Sequence, residues 1–159
     1  MAFRVLDSSA FYAGIPFSSN EPSCITSLIY NEIEHIKKDH DAVQILVETK
    51  RLTIRDPEHR FITIVHDAAK KSGDFPNLSE EDISTIALSL QLNAELVTDD
   101  FSISNVAKNL SIKVIPVMTN GIKNVVIWKY YCPGCKTNFS KVSECPRCGN
   151  KLKRKPLKN

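Results

Sequence analysis

The strongest constraint on this chain is a pair of cysteine knuckles near its end. CPGC, Cys132 to Cys135, is followed after nine residues by CPRCG, Cys145 to Gly149. Two CxxC pairs supply four thiolates, which suits a closed tetrahedral structural Zn²⁺ site. The gap of nine is shorter than the usual spacing of roughly 15–20, so a tight β-hairpin has to bring the knuckles together. Pro133 and Pro146 stiffen each knuckle, and Gly149 permits the turn after the second, while Lys136 stands in the matching place after the first. Four sulfur ligands leave no open position, so the ion is expected to hold a fold and a binding surface rather than to do chemistry.

Cys24 stands apart from this cluster. The start of the chain, MAFRVLDSSAF, has no long apolar stretch behind its basic residue and does not read as a secretory signal. No run approaches the roughly 18 apolar residues of a membrane span. The expectation is a cytoplasmic protein, whose reduced thiols favour metal over disulfides. With 159 residues, 42% hydrophobic and 25% charged, the chain has room for one ordinary domain and a small module. The charge is divided unevenly. Residues 1–127 carry 12 Lys and Arg against 17 Asp and Glu, net −5; residues 128–159 carry 9 against the single Glu144, net +8. That shift marks two parts with different jobs, the basic one suited to a polyanion.

Hydrophobic periodicity divides the first part into alternating strands and helices. Strands are expected at 3–6, 52–54, 96–98 and 113–116, and helices after Ser8-Ser9 and over 24–37, 41–50, 58–72, 79–92 and 102–110. Such alternation implies an α/β/α sandwich with a mainly parallel sheet. The expected organisation is a body over 1–119, a linker over 120–128 with a turn at Asn120-Gly121, a zinc-ribbon β module over 129–152, and a mobile basic tail over 153–159. Lys129, Lys136, Lys141 and Arg147 add charge to the ribbon; Trp128, Tyr130, Tyr131 and Phe139 add rings that serve either RNA stacking or the ribbon's own core.

Several acids fall where packing favours apolar groups. On a helix over 25–36, Ile25, Leu28, Ile29, Ile33 and Ile36 share one sector, and Glu32 lies inside it. A buried carboxylate there needs a partner or a metal. Asp82 borders the stripe of Ile83, Ile86, Ala87 and Leu90, and it also completes a capping box with Ser79. Asp7 follows the first strand, and Asp99-Asp100 follow another. In a parallel sheet both places lie at the carboxyl edge, where open α/β folds put their ligands. Converging carboxylates repel unless a cation neutralises them, and hard oxygen donors suit Mg²⁺ or Mn²⁺. Such a site can activate water for in-line attack on a phosphodiester. His35, His40, His59 and His66 share no spacing and read as surface or core residues.

LDSSAF at 6–11, NEIEHI around Glu32, LSEEDISTIALSLQL at 78–92 and VTDDFSISNVA at 97–107 resemble the four signature blocks of a PIN-domain nuclease. A PIN domain followed by a CPxC–CPxCG ribbon resembles the archaeal Nob-type ribosome-assembly endonucleases, and the likeness runs from Leu6 to Gly149. The resemblance implies a metal-dependent endoribonuclease that matures the 3′ end of small-subunit ribosomal RNA on the pre-small ribosomal subunit. It matches Asp7, Glu32 and Asp82 to the first three acids and Ser9 to the hydroxyl beside the first; the fourth acid is Asp99 or Asp100. Asn105 matches a recurrent polar residue, a candidate to support the ligands from behind. Two other readings are open: a toxin-like PIN ribonuclease acting on tRNA or mRNA, and a non-catalytic RNA-binding assembly factor.

Overall fold

The computed structural model describes residues 3–33, 41–118, 121, 124–139 and 144–157. In chain order the body contains β1 (Arg4–Leu6), α1 (Ser8–Tyr12), α2 (Ile15–Ser18), β2 (Ser23–Ile25), α3 (Ser27–Glu32), α4 (Ala42–Glu48), β3 (Leu52–Ile54), α5 (His59–Ser72), α6 (Glu80–Leu92), β4 (Glu95–Val97), α7 (Phe101–Asn109) and β5 (Val114–Ile115). The five strands form one sheet in the order β3-β2-β1-β4-β5, and every pairing is parallel.

The period-2 alternation of the strands explains why both faces need helices. Val5, Cys24 and Leu96 point into one apolar cluster with Val65, Ile86 and Val106, from α5, α6 and α7. Leu6, Ile25 and Val97 point into a second with Ala10, Ile29 and Val43, from α1, α3 and α4. The result is the α/β/α sandwich that the alternating pattern implied.

One expected helix is split. Residues 24–37 read as one helical stretch, but Ser23–Ile25 is a strand and α3 begins only after Thr26. Cys24 and Ile25 face opposite sides of the sheet, so both are buried, which a helix starting there would not achieve. Three strand residues are too few to show a period of their own beside a real helical stripe. Ile36, His35 and His40 lie outside the described residues. The first helix also starts differently: its N-cap is Asp7, whose carboxylate accepts from Ser9 N, rather than Ser8 or Ser9.

The second part is a three-stranded antiparallel sheet of β6 (Trp128–Tyr131), β7 (Asn138–Phe139) and β8 (Lys153–Pro156), in the order β7-β6-β8. The stretch 153–156, expected as part of a mobile tail, is instead a strand that pairs with 128–131 along its whole length. Its run of charges hid its strand character, because composition is blind to backbone pairing.

A polar junction fixes the ribbon to the body. Gly73 closes α5 at φ 81°, a conformation that favours glycine. A Cβ at Gly73 would meet the Trp128 carbonyl oxygen at 2.6 Å, and the Tyr130 hydroxyl donates to the Gly73 carbonyl. Beside them Asn105 and Val126 exchange two bonds: Asn105 Nδ2 donates to Val126 O and Val126 N to Asn105 Oδ1, both at 2.7 Å. Asn105 Nδ2 also donates to Asp74 Oδ2 at 2.6 Å, which Ser72 Oγ approaches at 2.7 Å. Trp128 and Tyr130, expected to stack on RNA or fill the ribbon, are therefore committed to the body. Gly73→Ala combines left-handed strain with a backbone clash, and should lower stability by about 2–4 kcal/mol in urea unfolding of the full chain.

Candidate active site

The strand order reverses between β1 and β4, with β2 and β3 on one side and β5 on the other. A crevice at the carboxyl ends of strands is expected at such a switch point. Leu6 pairs with Val97, so the next residues, Asp7 and Thr98, leave the sheet side by side. Asp7 is 4% exposed and Thr98 1% exposed. Thr98 Oγ1 donates to Asp7 Oδ2 at 2.5 Å and accepts from Asp100 N at 3.0 Å. Ser9 Oγ donates to the same Asp7 oxygen at 3.1 Å, and Ser8 Oγ donates to Asp7 Oδ1 at 3.1 Å. Three hydroxyls thus fix one carboxylate in one orientation.

Glu32 and Asp82 come from two helices. Thr26 caps α3, accepting from Ile29 N at 3.3 Å, and its hydroxyl lies 2.9 Å from the Ser84 hydroxyl of α6. Both residues are buried. This bond ties the start of the helix that ends in Glu32 to the helix that begins near Asp82. Glu32 is exposed, not buried as its apolar sector implied, because α3 ends there; the next residue, Ile33, is buried. Its acidity is nonetheless altered. Partial burial pushes the Glu32 carboxyl up, and the negative charges of Asp7, Glu81 and Asp82 push it further. Burial likewise raises Asp82, against the Ser79 bonds that lower it, and Asp100 and Asp7 add to the rise. Asp82 completes the expected capping box, with Ser79 N donating to Asp82 Oδ2 at 2.8 Å and Asp82 N to Ser79 Oγ at 3.2 Å. Asp7, Glu32, Asp82 and Asp100 therefore form one electrostatically connected group.

The two neighbouring acids after β4 point to different work. Asp99 accepts Val117 N on Oδ1 at 2.7 Å and Met118 N on Oδ2 at 2.8 Å, tying the segment after β5 to the sheet edge. Asp100 caps α7, accepting Ile103 N on Oδ1 at 2.9 Å, and its charge adds to the rise of Asp82. Asn105, expected behind the ligands, is fully buried and bonds Asp74 and Val126 in the ribbon junction instead. Among the described histidines, His59 is exposed and the His66 ring lies 5.3 Å from Phe75.

The cysteines converge closely. The sulfurs of Cys132, Cys135, Cys145 and Cys148 all lie within 4.8 Å of one another; among the described residues no trio of carboxylates draws in so tightly. The two knuckles repeat one backbone pattern. Lys136 N donates to Cys132 O at 3.0 Å and Gly149 N to Cys145 O at 2.7 Å; Cys132 N donates to Thr137 O and Cys145 N to Asn150 O. Lys136 takes φ 61° where Gly149 takes φ 67°, so the lysine adopts the turn that glycine makes easy. At Gly134 a Cβ would meet Asn150 Nδ2 at 2.7 Å, so a larger residue there would displace the tip of the Asn150 side chain. Bonds from Thr137 lower the Cys135 thiol to about 6, whereas the Cys135 sulfur, with burial, pushes Cys148 up to about 12. Four thiolates so close need a cation between them, and the set supplies one ion with four ligand atoms.

Sequence reasoning missed Thr98, Thr26, Ser84 and Glu81. The first three act through other residues, so their residue types gave no signal, although Ser84 and Thr98 stand inside quoted blocks; Glu81 stands in the LSEEDIS block, next to the acid chosen from it. The raised Glu32 carboxyl has a consequence for stability. Between the ordinary and the raised pKa the folded chain holds a proton that the unfolded chain has lost, so stability falls as pH rises through that window and stays lower above it. With the thiol site loaded but no Mg²⁺ or Mn²⁺ present, Glu32→Gln should melt higher than the parent at pH 7. The difference should vanish near roughly pH 3, where the carboxyl is protonated in both states.

The profile of the family described as "PIN domain of ribonuclease" matches residues 5–92. The chain is 37% identical over its whole length to "Endoribonuclease Nob1" of Methanocaldococcus jannaschii, covering 80% of that protein. It is 31% identical to "Endoribonuclease Nob1" of Pyrococcus abyssi, over 94% of this chain and 91% of that one. It is also 38% identical to "Ribonuclease VapC1" of Thermoplasma acidophilum, over 77% of this chain and 63% of that one. With acids gathered at the switch point, a four-thiol ribbon behind them, and relatives aligned through both, this chain belongs to the Nob1 family of PIN-domain endoribonucleases.

Proposed function

We propose that this chain cuts the precursor of small-subunit ribosomal RNA at its 3′ end, working in the cytoplasm on the pre-small ribosomal subunit. Asp7, Glu32, Asp82 and Asp100 hold one or two Mg²⁺ or Mn²⁺ ions, and Cys132, Cys135, Cys145 and Cys148 hold a structural Zn²⁺. The observation that carries the reading is the mutual repulsion of the acids: Asp7 and Asp82 both raise Glu32, and Asp7 and Asp100 both raise Asp82. Oxygen donors that raise one another fit a hard divalent cation, which relieves that repulsion. A cation held there supplies an activated water and stabilises the charge developing on the phosphate.

The chain's own groups prepare that chemistry. Thr98, Ser8 and Ser9 orient Asp7 before any substrate arrives. The Thr26–Ser84 bond keeps the helices of Glu32 and Asp82 in register. Asp100 is the fourth ligand in this reading, because one of its oxygens caps α7 while its charge bears on Asp82. Asp99, with both oxygens bonded to backbone N–H groups, holds the edge together. The match to the relative named ribonuclease VapC1 covers less of this chain than those to the Nob1 relatives, which favours the ribosomal RNA precursor over tRNA or mRNA as the target.

A precursor spanning the 3′ end of the small-subunit ribosomal RNA should be cut with Mn²⁺ and not with EDTA, and neither tRNA nor mRNA should be cut at a comparable rate. Asp7→Asn should lower the rate about 100-fold or more. Cleavage at the parent's rate by Asp7→Asn would end the assignment. Asp100→Asn keeps a good helix cap but removes the charge, so it should lose cleavage while melting normally. Asp99→Asn should do the opposite, and Thr98→Val should slow cleavage by about 10–100-fold by releasing Asp7.

A further inference from the structure

Helix α7 is held on two faces. At about 100° per residue, Ile103, Val106 and Ala107 centre on one side and pack into an apolar cluster against the sheet. Phe101 and Asn105, one turn apart, fall within about 40° of each other on the opposite side. Residues entering the ribbon meet this second face. Asn105 is fully buried there, and Val126 exchanges two bonds with its side chain. One turn earlier, the Phe101 ring stands edge-to-face with the Trp128 ring, centroids 6.2 Å apart. The grip on α7 therefore has two points. Arg154 of β8 holds the indole from the ribbon side, its guanidinium 4.3 Å over the ring. The indole also bears on Asp74, the bonding partner of Asn105. Burial raises the Asp74 carboxyl, while bonds from Ser72 and Asn105, the positive Arg154 and the Trp128 side chain lower it. Asp100 is the N-cap of this same helix and the immediate neighbour of Phe101.

We infer that the docked ribbon positions the Asp100 carboxylate for its divalent cation by clamping α7, with Trp128 as the positioning residue that seats Phe101. The inference rests on the carboxylate site proposed above, in which Asp100 is a cation ligand. A carboxylate that caps a helix moves with the first turn of that helix. The core contacts hold α7 from one side only, and a helix end with few contacts is the part that opens first. Phe101 and Asn105 supply the contacts on the other side, and both are made to residues of the ribbon or its entry. Groups that orient a metal ligand from behind are typically worth about 10–100-fold in metal affinity. The ribbon in this arrangement completes the metal site without giving it a ligand. Docking of the ribbon and binding of the cation then favour each other by the same factor.

The Mn²⁺ affinity of the zinc-loaded full chain, read from the electron paramagnetic resonance signal of free Mn²⁺, tests this with no RNA present. Trp128→Leu should raise the Mn²⁺ Kd by about 5-fold or more. Trp128→Phe keeps a ring against Phe101 and should stay within about 2-fold of the parent. In an Asp100→Asn background, Trp128→Leu should change the Kd by less than about 2-fold, because the ligand it positions is gone. An unchanged Kd in Trp128→Leu would overturn the inference. So would a loss of equal size with and without the Asp100 carboxylate, which would mark general loosening of the body. If Trp128→Leu loses its zinc or its circular dichroism spectrum, Gly73→Ala takes its place, since a Cβ there presses on the Trp128 backbone, and the same outcomes apply. Failure of the carboxylate site looks different: the parent would then bind no Mn²⁺ that Asp7→Asn removes. Parental binding that depends on Asp7 but not on Trp128 rejects the positioning role alone.

Discussion

The parallel pairing of β1 with β4 is the constraint on which the rest depends. Its register sets Leu6 beside Val97 and so delivers Asp7 and Thr98 to the same edge. A slip of one residue would send Leu6 and Val97 to the opposite cluster and exchange their partners on both faces. The buried alternation therefore locks the register, and the register brings the Thr98 hydroxyl within reach of the Asp7 carboxylate. Packing of apolar residues determines where the acids stand.

That edge is a place of electrostatic tension. Glu32 and Asp82 are each raised by burial and by neighbouring acids. A fold selected for stability alone would separate such groups, whereas clusters of perturbed carboxylates are a mark of functional sites. The same residues carry ordinary structural duties: Asp7 caps α1, Asp82 completes a capping box and Asp100 caps α7. Asp7 and Asp100 cap at strand-to-helix turns, which lie at the carboxyl edge of the sheet, so there one carboxylate can serve both purposes; Asp82 comes from the start of α6, which follows another helix instead.

The ribbon is joined to the body through buried polar groups, beside the Trp128 ring on Phe101. Asp74 and Asn105 are both fully buried and bonded to each other, and Asn105 exchanges two bonds with the Val126 backbone. Burial raises the Asp74 carboxyl, while bonds from Ser72 and Asn105 and the positive Arg154 lower it. Directional bonds of this kind specify one arrangement of two modules more sharply than hydrophobic contact does.

The sequence alone determined the α/β alternation, the four thiols, and the acids at strand ends, because periodicity, ligand spacing and residue type are local properties. It also placed Asp82 in its capping box, since that motif spans four residues. Only the tertiary structure showed β2 inside an expected helix, and β8 inside an expected tail, because three- and four-residue strands exist by virtue of their partners. Only the tertiary structure gave Asp99 and Asp100 different hydrogen-bond partners. The two are adjacent and chemically identical, and their difference lies in what faces them: backbone N–H groups of Val117 and Met118 for one, the helix cap and the charge of Asp82 for the other. Asn105 passed from the active site to the ribbon junction for the same reason, since a side chain's role is set by neighbours that lie far away along the chain.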